Sequence, residues 1–175
     1  MNIEFVYLIA DYFKTLERRI TLYDWVLPTL ISIVFSVLIW HGNISSVVVG
    51  FKNSVISVLG ILVGFSITLI TIIITSNNEN LQELKTTSSN VRIGDSYISI
   101  YRLLLINYSY TVVIEVFIIV FCLLYPFILA TLNIPYCIKI IGFGMLLFWV
   151  LHVFLITVRN LTDFYFTISK QARNE

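Results

Sequence analysis

A run of 22 residues without a single charge, Ser54–Thr75 (SVISVLGILVGFSITLITIIIT), sets the terms for the whole chain. At 1.5 Å rise per residue, a helix of that length matches the hydrocarbon core of a bilayer. Its small residues fall in register. Ser57, Gly60, Gly64, Thr68, Thr71 and Thr75 are spaced 3, 4, 4, 3 and 4 apart, eighteen residues in five steps, a period of 3.6. One straight line of small and hydroxylated groups therefore runs down a helix otherwise made of isoleucine, leucine, valine and phenylalanine. Lipid gains nothing from such a line, so it predicts a second helix or a pore opposite it.

The other segments are of the same kind. Of 175 residues, 58% are hydrophobic and 12% charged, against roughly half and a quarter in a soluble domain. Mean hydropathy is +0.93. These values predict an all-α polytopic membrane protein forming a single domain. A net charge of +1 argues against a nucleic-acid footprint, which needs clustered lysine and arginine on an exposed surface. Cys122 lies in an apolar run and Cys137 in a short turn, a pair that builds neither a disulfide framework nor a zinc site. Charges punctuate the first 20 residues and no cleavage site follows them, so they do not read as a secretory signal.

Residues 3–19 place Phe5, Leu8, Ile9, Tyr12, Phe13 and Leu16 on one helical face, with Glu4, Asp11, Lys14 and Arg18 elsewhere. An amphipathic helix of this kind lies in the membrane interface or packs on its neighbours in the cytosol; the pattern allows both. Four spans follow, at residues 22–40, 54–75, 102–124 and 138–158. In the first, Trp25 and Trp40 mark two aromatic belts, Asp24 and Pro28 suit a helix start, and Ser32 and Ser36 offer a seat for a neighbouring helix. The polar loop 76–101 begins as a helical extension, with Leu81 and Leu84 among Glu79, Glu83 and Lys85, until Ser88, Ser89, Asn90 and Gly94 break it. The tail, 159–175, extends the fourth helix. Lys14, Arg18, Arg19, Lys85, Arg92, Arg102, Arg159, Lys170 and Arg173 fall on one side of the membrane, leaving Lys52 and Lys139 on the other. Nine of eleven cations on one side predicts cytoplasmic N and C termini, with the loop and tail as helical cytosolic extensions.

Glu115 stands thirteen residues past Arg102, ~19 Å along the helix and near mid-membrane. With Asn107 and Thr111 it forms a polar face at i, i+4 and i+8. Thirteen residues before Asn77 is Gly64, so equal depth puts Glu115 beside the small-residue line if the two helices touch. Three roles stay open for it: lining an ion or proton path, sitting neutral and hydrogen-bonded to Thr68 or Ser57, or joining subunits. His152, seven residues before Arg159, is level with Tyr108 rather than Glu115. It reads either as a satisfied histidine bonded to Tyr108 or Asn107, or as a proton relay or pH switch. The sequence has no metal-ligand cluster, phosphate loop, CxxC or nucleophile with a base. No catalytic residue, cofactor or metal is expected, and the chain is read as a non-enzyme. A quinone-linked disulfide oxidase, which shares four spans and inner termini, needs cysteine pairs in its outer loops; Cys137 stands alone there.

The segment GILVGFSITLITIIITSNNENLQELK, a glycine-bearing span running into a polar helical loop, resembles small four-span membrane proteins of bacterial phage-defence operons. By size, span count and termini the resemblance is strongest to the KwaA family, the membrane subunits of the Kiwa system. That likeness implies a homo-oligomeric sensor or scaffold in the bacterial inner membrane. It would hold a soluble cytosolic effector through elements such as Glu79, Glu83, Lys85 and Arg92. A second likeness, to four-span effectors of cyclic-nucleotide-triggered defence, implies a pore that permeabilises the inner membrane. Neither likeness carries a catalytic residue onto this chain.

Overall fold

The computed structural model describes residues 4–40, 44–75, 79–131 and 135–171. Helix α1 (Glu4–Lys14) leads to a short α2 (Arg18–Thr21), a π-helical turn (Leu22–Val26) and α3 (Leu27–Ile39). Helix α4 (Ile44–Thr75) follows, then α5 (Glu79–Thr86), strands β1 (Ser88–Ile93) and β2 (Ser96–Ser99), and the long helices α6 (Ile100–Thr131) and α7 (Tyr136–Gln171). The fold is mostly helical. Four helical segments are long and apolar enough to cross a membrane: Arg18–Ile39, Gly50–Thr75, Ile100–Tyr125 and Tyr136–Phe166. Residues 41–43, 76–78, 132–134 and 172–175 of the expected connections and tail, Arg173 among them, lie outside the described residues.

Two expectations are corrected by the backbone. The segment after α5 is not irregular but an antiparallel hairpin, so the fold is not purely helical. Ile93 pairs with Ser96 and Arg92 with Tyr97, leaving Gly94 and Asp95 as a two-residue turn. Gly94 has φ 67°, a left-handed value that costs glycine nothing because it has no Cβ. The second span also begins earlier than Ser54. Helix α4 starts at Ile44 and absorbs most of the expected link, because Val48 buries itself against Ile140 and Phe143. Phe51 adds an edge-on contact to Phe143, with ring centroids 5.6 Å apart.

The chain divides into two compact units. The first comprises Met1–Arg18, Gly64–Val113 and Ile156–Glu175; the second comprises Arg19–Val63 and Ile114–Leu155. In the first unit, Leu69 and Ile73 of α4, Leu84 of α5, and Leu104 and Tyr108 of α6 form a buried cluster. Leu84 sits buried between exposed Glu83 and Lys85, so α5 docks through Leu84. Lys85 places its ammonium 5.2 Å from the centroid of the Tyr101 ring. Helix α1 belongs to this unit too. Tyr12 is fully buried and stacks on Tyr110 with centroids 3.6 Å apart and planes 3° from parallel. Asp11 accepts from Lys14 at 3.1 Å and lies 3.7 Å from Arg102. The amphipathic helix thus packs on its own chain through Tyr12, while Val6, Tyr7 and Phe13 stay exposed.

The second unit holds the cluster of Val48, Ile140 and Phe143, and a close approach of α3 to α7. A Cβ placed on Gly144 would come within 2.5 Å of Ser36 Oγ and 3.6 Å of its Cβ, so α7 presents its smallest residue where α3 comes near. Of the Ser32/Ser36 pair, Ser36 is the residue that meets a neighbouring helix. Tyr136, at the start of α7, donates to the Trp40 carbonyl at 3.0 Å, and the two rings meet edge-on.

Candidate functional site

The small-residue line of α4 faces outward. Ser57, Gly60, Gly64, Thr68, Thr71 and Thr75 are all exposed, and a Cβ on Gly60 or Gly64 would meet nothing within 4 Å. The buried face of α4 is a different one, carrying Val55, Leu59, Ser66, Leu69 and Ile73. The expectation that Gly64 packs beside Glu115 within one chain is therefore corrected: Glu115 is wholly buried and Gly64 is open. Large residues lie on both sides of α4, since Ile61, Ile67 and Ile74 are exposed too, and the small Ser66 is buried. Each hydroxyl on the line is satisfied by its own helix. Ser57 donates to the Asn53 carbonyl at 3.2 Å, Thr68 to Gly64 at 2.8 Å, Thr71 to Ile67 at 2.9 Å and Thr75 to Thr71 at 2.7 Å. Neither Thr68 nor Ser57 is turned toward the interior where Glu115 lies, which removes both as its expected partners. The line can meet lipid or protein without leaving a donor unpaired.

A chain of buried polar groups runs through the first unit instead. Thr111 donates to the Asn107 carbonyl at 2.8 Å and accepts from Asn160 Nδ2 at 3.0 Å. Tyr108 donates its hydroxyl to the Asn160 carbonyl at 3.0 Å. All four residues are buried, so the polar face expected at Asn107 and Thr111 is an internal one. Its link to α7 runs through Asn160, not His152. Asn160 lies eight residues past His152, on the same helical face, and that spacing was the available signal. Tyr108→Phe, which deletes a single neutral bond, is expected to lower stability by about 0.5–1.5 kcal/mol, read by denaturant titration in detergent. No change at all would mean that the bond does not form.

In the second unit Asp24, Glu115 and His152 are completely buried. Burial in protein shields Glu115 from lipid, where an exposed acidic group at mid-membrane costs about 2.5–3.5 kcal/mol. His152 is positioned by the first span. Its Nδ1 lies 2.6 Å from the carbonyl oxygen of Asp24. A carbonyl only accepts, so Nδ1 carries a proton in this contact. The reason that this carbonyl is available is written in the sequence. The amide four residues on from Asp24 would belong to Pro28, which has no N–H. The π-helical turn at Leu22–Val26 ends on a bond from the Leu27 amide to the Leu22 carbonyl, and such turns recur at functional sites. Three aromatic rings box the imidazole: Trp25 at 4.5 Å, Phe148 stacked at 5.7 Å and Trp149 edge-on at 5.6 Å. Histidine is thus satisfied, as one reading had it, but by Asp24 rather than Tyr108 or Asn107. Trp25 packs on His152 and is part-buried, whereas Trp40 is half-exposed.

Among the residues expected to meet a partner, Glu83, Lys85 and Arg92 are exposed, on α5 and near the hairpin tip. Arg92 donates to the Asp95 carbonyl at 3.3 Å. Glu79 opens α5, and its side chain lies outside the description. Among the described residues no three histidine, cysteine or carboxylate side chains converge as a metal set. Compared with family models, curated proteins and solved structures, the chain matches none.

Proposed function

We propose that the chain is a membrane-embedded, homo-oligomeric scaffold or sensor subunit without enzymatic activity, which recruits or restrains a soluble cytosolic effector. The observation that carries this reading is the outward line on α4. A helix that displays six small residues in register, with every hydroxyl returned to its own backbone, presents the surface on which spanning helices pack. The cations Lys14, Arg18, Lys85, Arg92, Arg102 and Arg159 support cytoplasmic termini, and they gather on the segments that carry α1, α5 and the hairpin. That arrangement offers Glu83, Lys85 and Arg92 to a partner in the cytosol. The likeness to KwaA-type subunits supplies the setting, anti-phage defence at the bacterial inner membrane.

Copurification tests the partner half of this reading. A soluble product of a neighbouring gene is expected to co-elute with the full chain from membranes and to be lost in a Glu83→Arg, Arg92→Glu variant. A chain that never co-elutes with any soluble protein contradicts it. The exposure of Thr68, Thr71 and Thr75 favours a second reading, in which the assembled lines enclose a pore that permeabilises the membrane. In planar bilayers the scaffold reading expects no conductance. A current that Thr68→Leu abolishes supports the pore in its place.

A further inference from the structure

Only Thr15, Leu16 and Glu17 separate the end of α1 at Lys14 from Arg18, where the first apolar segment begins, so α1 ends within about 14 Å of that segment. Its depth is set by α6. Tyr12 stacks on Tyr110, ten residues past Ile100, so the ring pair lies ~15 Å inside the end of the third apolar segment. Phe13 meets Tyr12 edge-on at 5.9 Å and is 47% exposed. Val6, seven residues earlier and so ~20° away around the helix, is exposed to the same degree. At that depth an exposed apolar line faces acyl chains, as in a helix that lies in the interface. Tyr7 and Lys14 form a second exposed line, ~100° round from the first. There Lys14 and Arg102 share one carboxylate, Asp11, at 3.1 and 3.7 Å, and both cations keep more than half of their side-chain surface exposed. Two cations on one carboxylate leave a positive excess beside the start of the third apolar segment. Glu17, Arg18 and Arg19 follow in sequence, all exposed, and add a further net cation.

We propose that α1 lies in the lipid interface and that Lys14 and Arg102 bind the phosphate headgroup of an anionic phospholipid, with Val6 and Phe13 against its acyl chains. The headgroup layer is where an apolar segment ends, and a cation near an anionic leaflet is drawn to it. A zwitterionic lipid brings its own ammonium to the same place and loses part of that attraction. An acidic protein surface matches the cations but not Phe13, whose ring contact lies ~15 Å inside the segment. The proposal needs the helices to cross a membrane and is independent of the scaffold reading.

Native mass spectrometry of the full chain in detergent, titrated with phosphatidylglycerol or with phosphatidylcholine of equal chain length, tests this. Phosphatidylglycerol is expected to bind more tightly, by about 5-fold for each cation engaged. The double variant Lys14→Gln, Arg102→Gln is expected to remove most of that preference. Asp11→Asn frees both cations and is expected to strengthen phosphatidylglycerol alone, whereas a cluster that only pins α1 to α6 is loosened by it. Phe13→Ser is expected to weaken both lipids alike. Equal binding of the two lipids by the parent, or a preference that the double variant keeps in full, leaves the cations to a protein surface and overturns the proposal. Phosphatidylglycerol binding that Asp11→Asn lowers assigns the cluster to helix docking and overturns it equally.

Discussion

Replacing His152 with leucine is expected to destabilise the folded chain by about 1–3 kcal/mol, and Pro28→Ala to recover part of that loss in the double variant. Leucine fills most of the imidazole's space inside the Trp25, Phe148 and Trp149 box, so the main loss is the donor to the Asp24 carbonyl. Interhelical hydrogen bonds in membranes contribute on average ~0.6 and at most ~1.7 kcal/mol, because the unfolded helices find other partners in the bilayer. A bond of 2.6 Å to a fully buried residue belongs at the upper end, and the stranded carbonyl adds its own cost. Pro28→Ala restores an N–H four residues beyond Asp24. With His152 present the amide is redundant; with leucine there it takes the vacated carbonyl. Unfolding four variants in mixed detergent gives the coupling directly. The double variant is expected to be about 1 kcal/mol more stable than the sum of the singles. Strict additivity would mean that Pro28 and His152 do not share the Asp24 carbonyl.

The second large effect separates two glycines by what surrounds them. At Gly144 a Cβ meets Ser36 Oγ at 2.5 Å, so alanine needs only a turn of one hydroxyl. Leucine at that position must push α3 away from α7 and is expected to cost the fold itself several kcal/mol, as overpacking does. At Gly64 a Cβ meets nothing within 4 Å. Gly64→Leu is therefore expected to leave the folded subunit intact, with an unfolding midpoint close to the parent's, and to abolish association of copies. A leucine on a surface built for close helix approach holds two backbones apart.

The sequence was informative where one physical rule acts alone. Span number follows from run length, and α5 from the spacing of Leu81 and Leu84. The small-residue line is equally legible, but its direction is not. Period 3.6 says that six residues share a face, not whether that face turns toward Glu115 or away from it. The face turned inward carries Val55, Leu59, Ser66, Leu69 and Ile73, while Ile61, Ile67 and Ile74 are exposed, so bulk alone does not mark it in the sequence. The hairpin had a signal that went unread: Gly94–Asp95 between VRI and SYIS, two short β-branched and aromatic runs around a glycine-led pair. Serine and asparagine in the same stretch suggested a broken helix, and the turn chemistry outweighed them. Asp24 was read as a helix start from its place before an apolar run. Its backbone role became visible only with Pro28 and His152 brought together, 128 residues apart in sequence.

The central claim is that the line on α4 joins copies of this chain, and the mass of the purified assembly tests it most directly. Native mass spectrometry of the parent and of Gly64→Leu, both released from the same detergent, is expected to give a defined oligomer for the parent and a folded single subunit for the variant. A parent that is already monomeric, or an oligomer whose mass and abundance Gly64→Leu leaves untouched, contradicts the account.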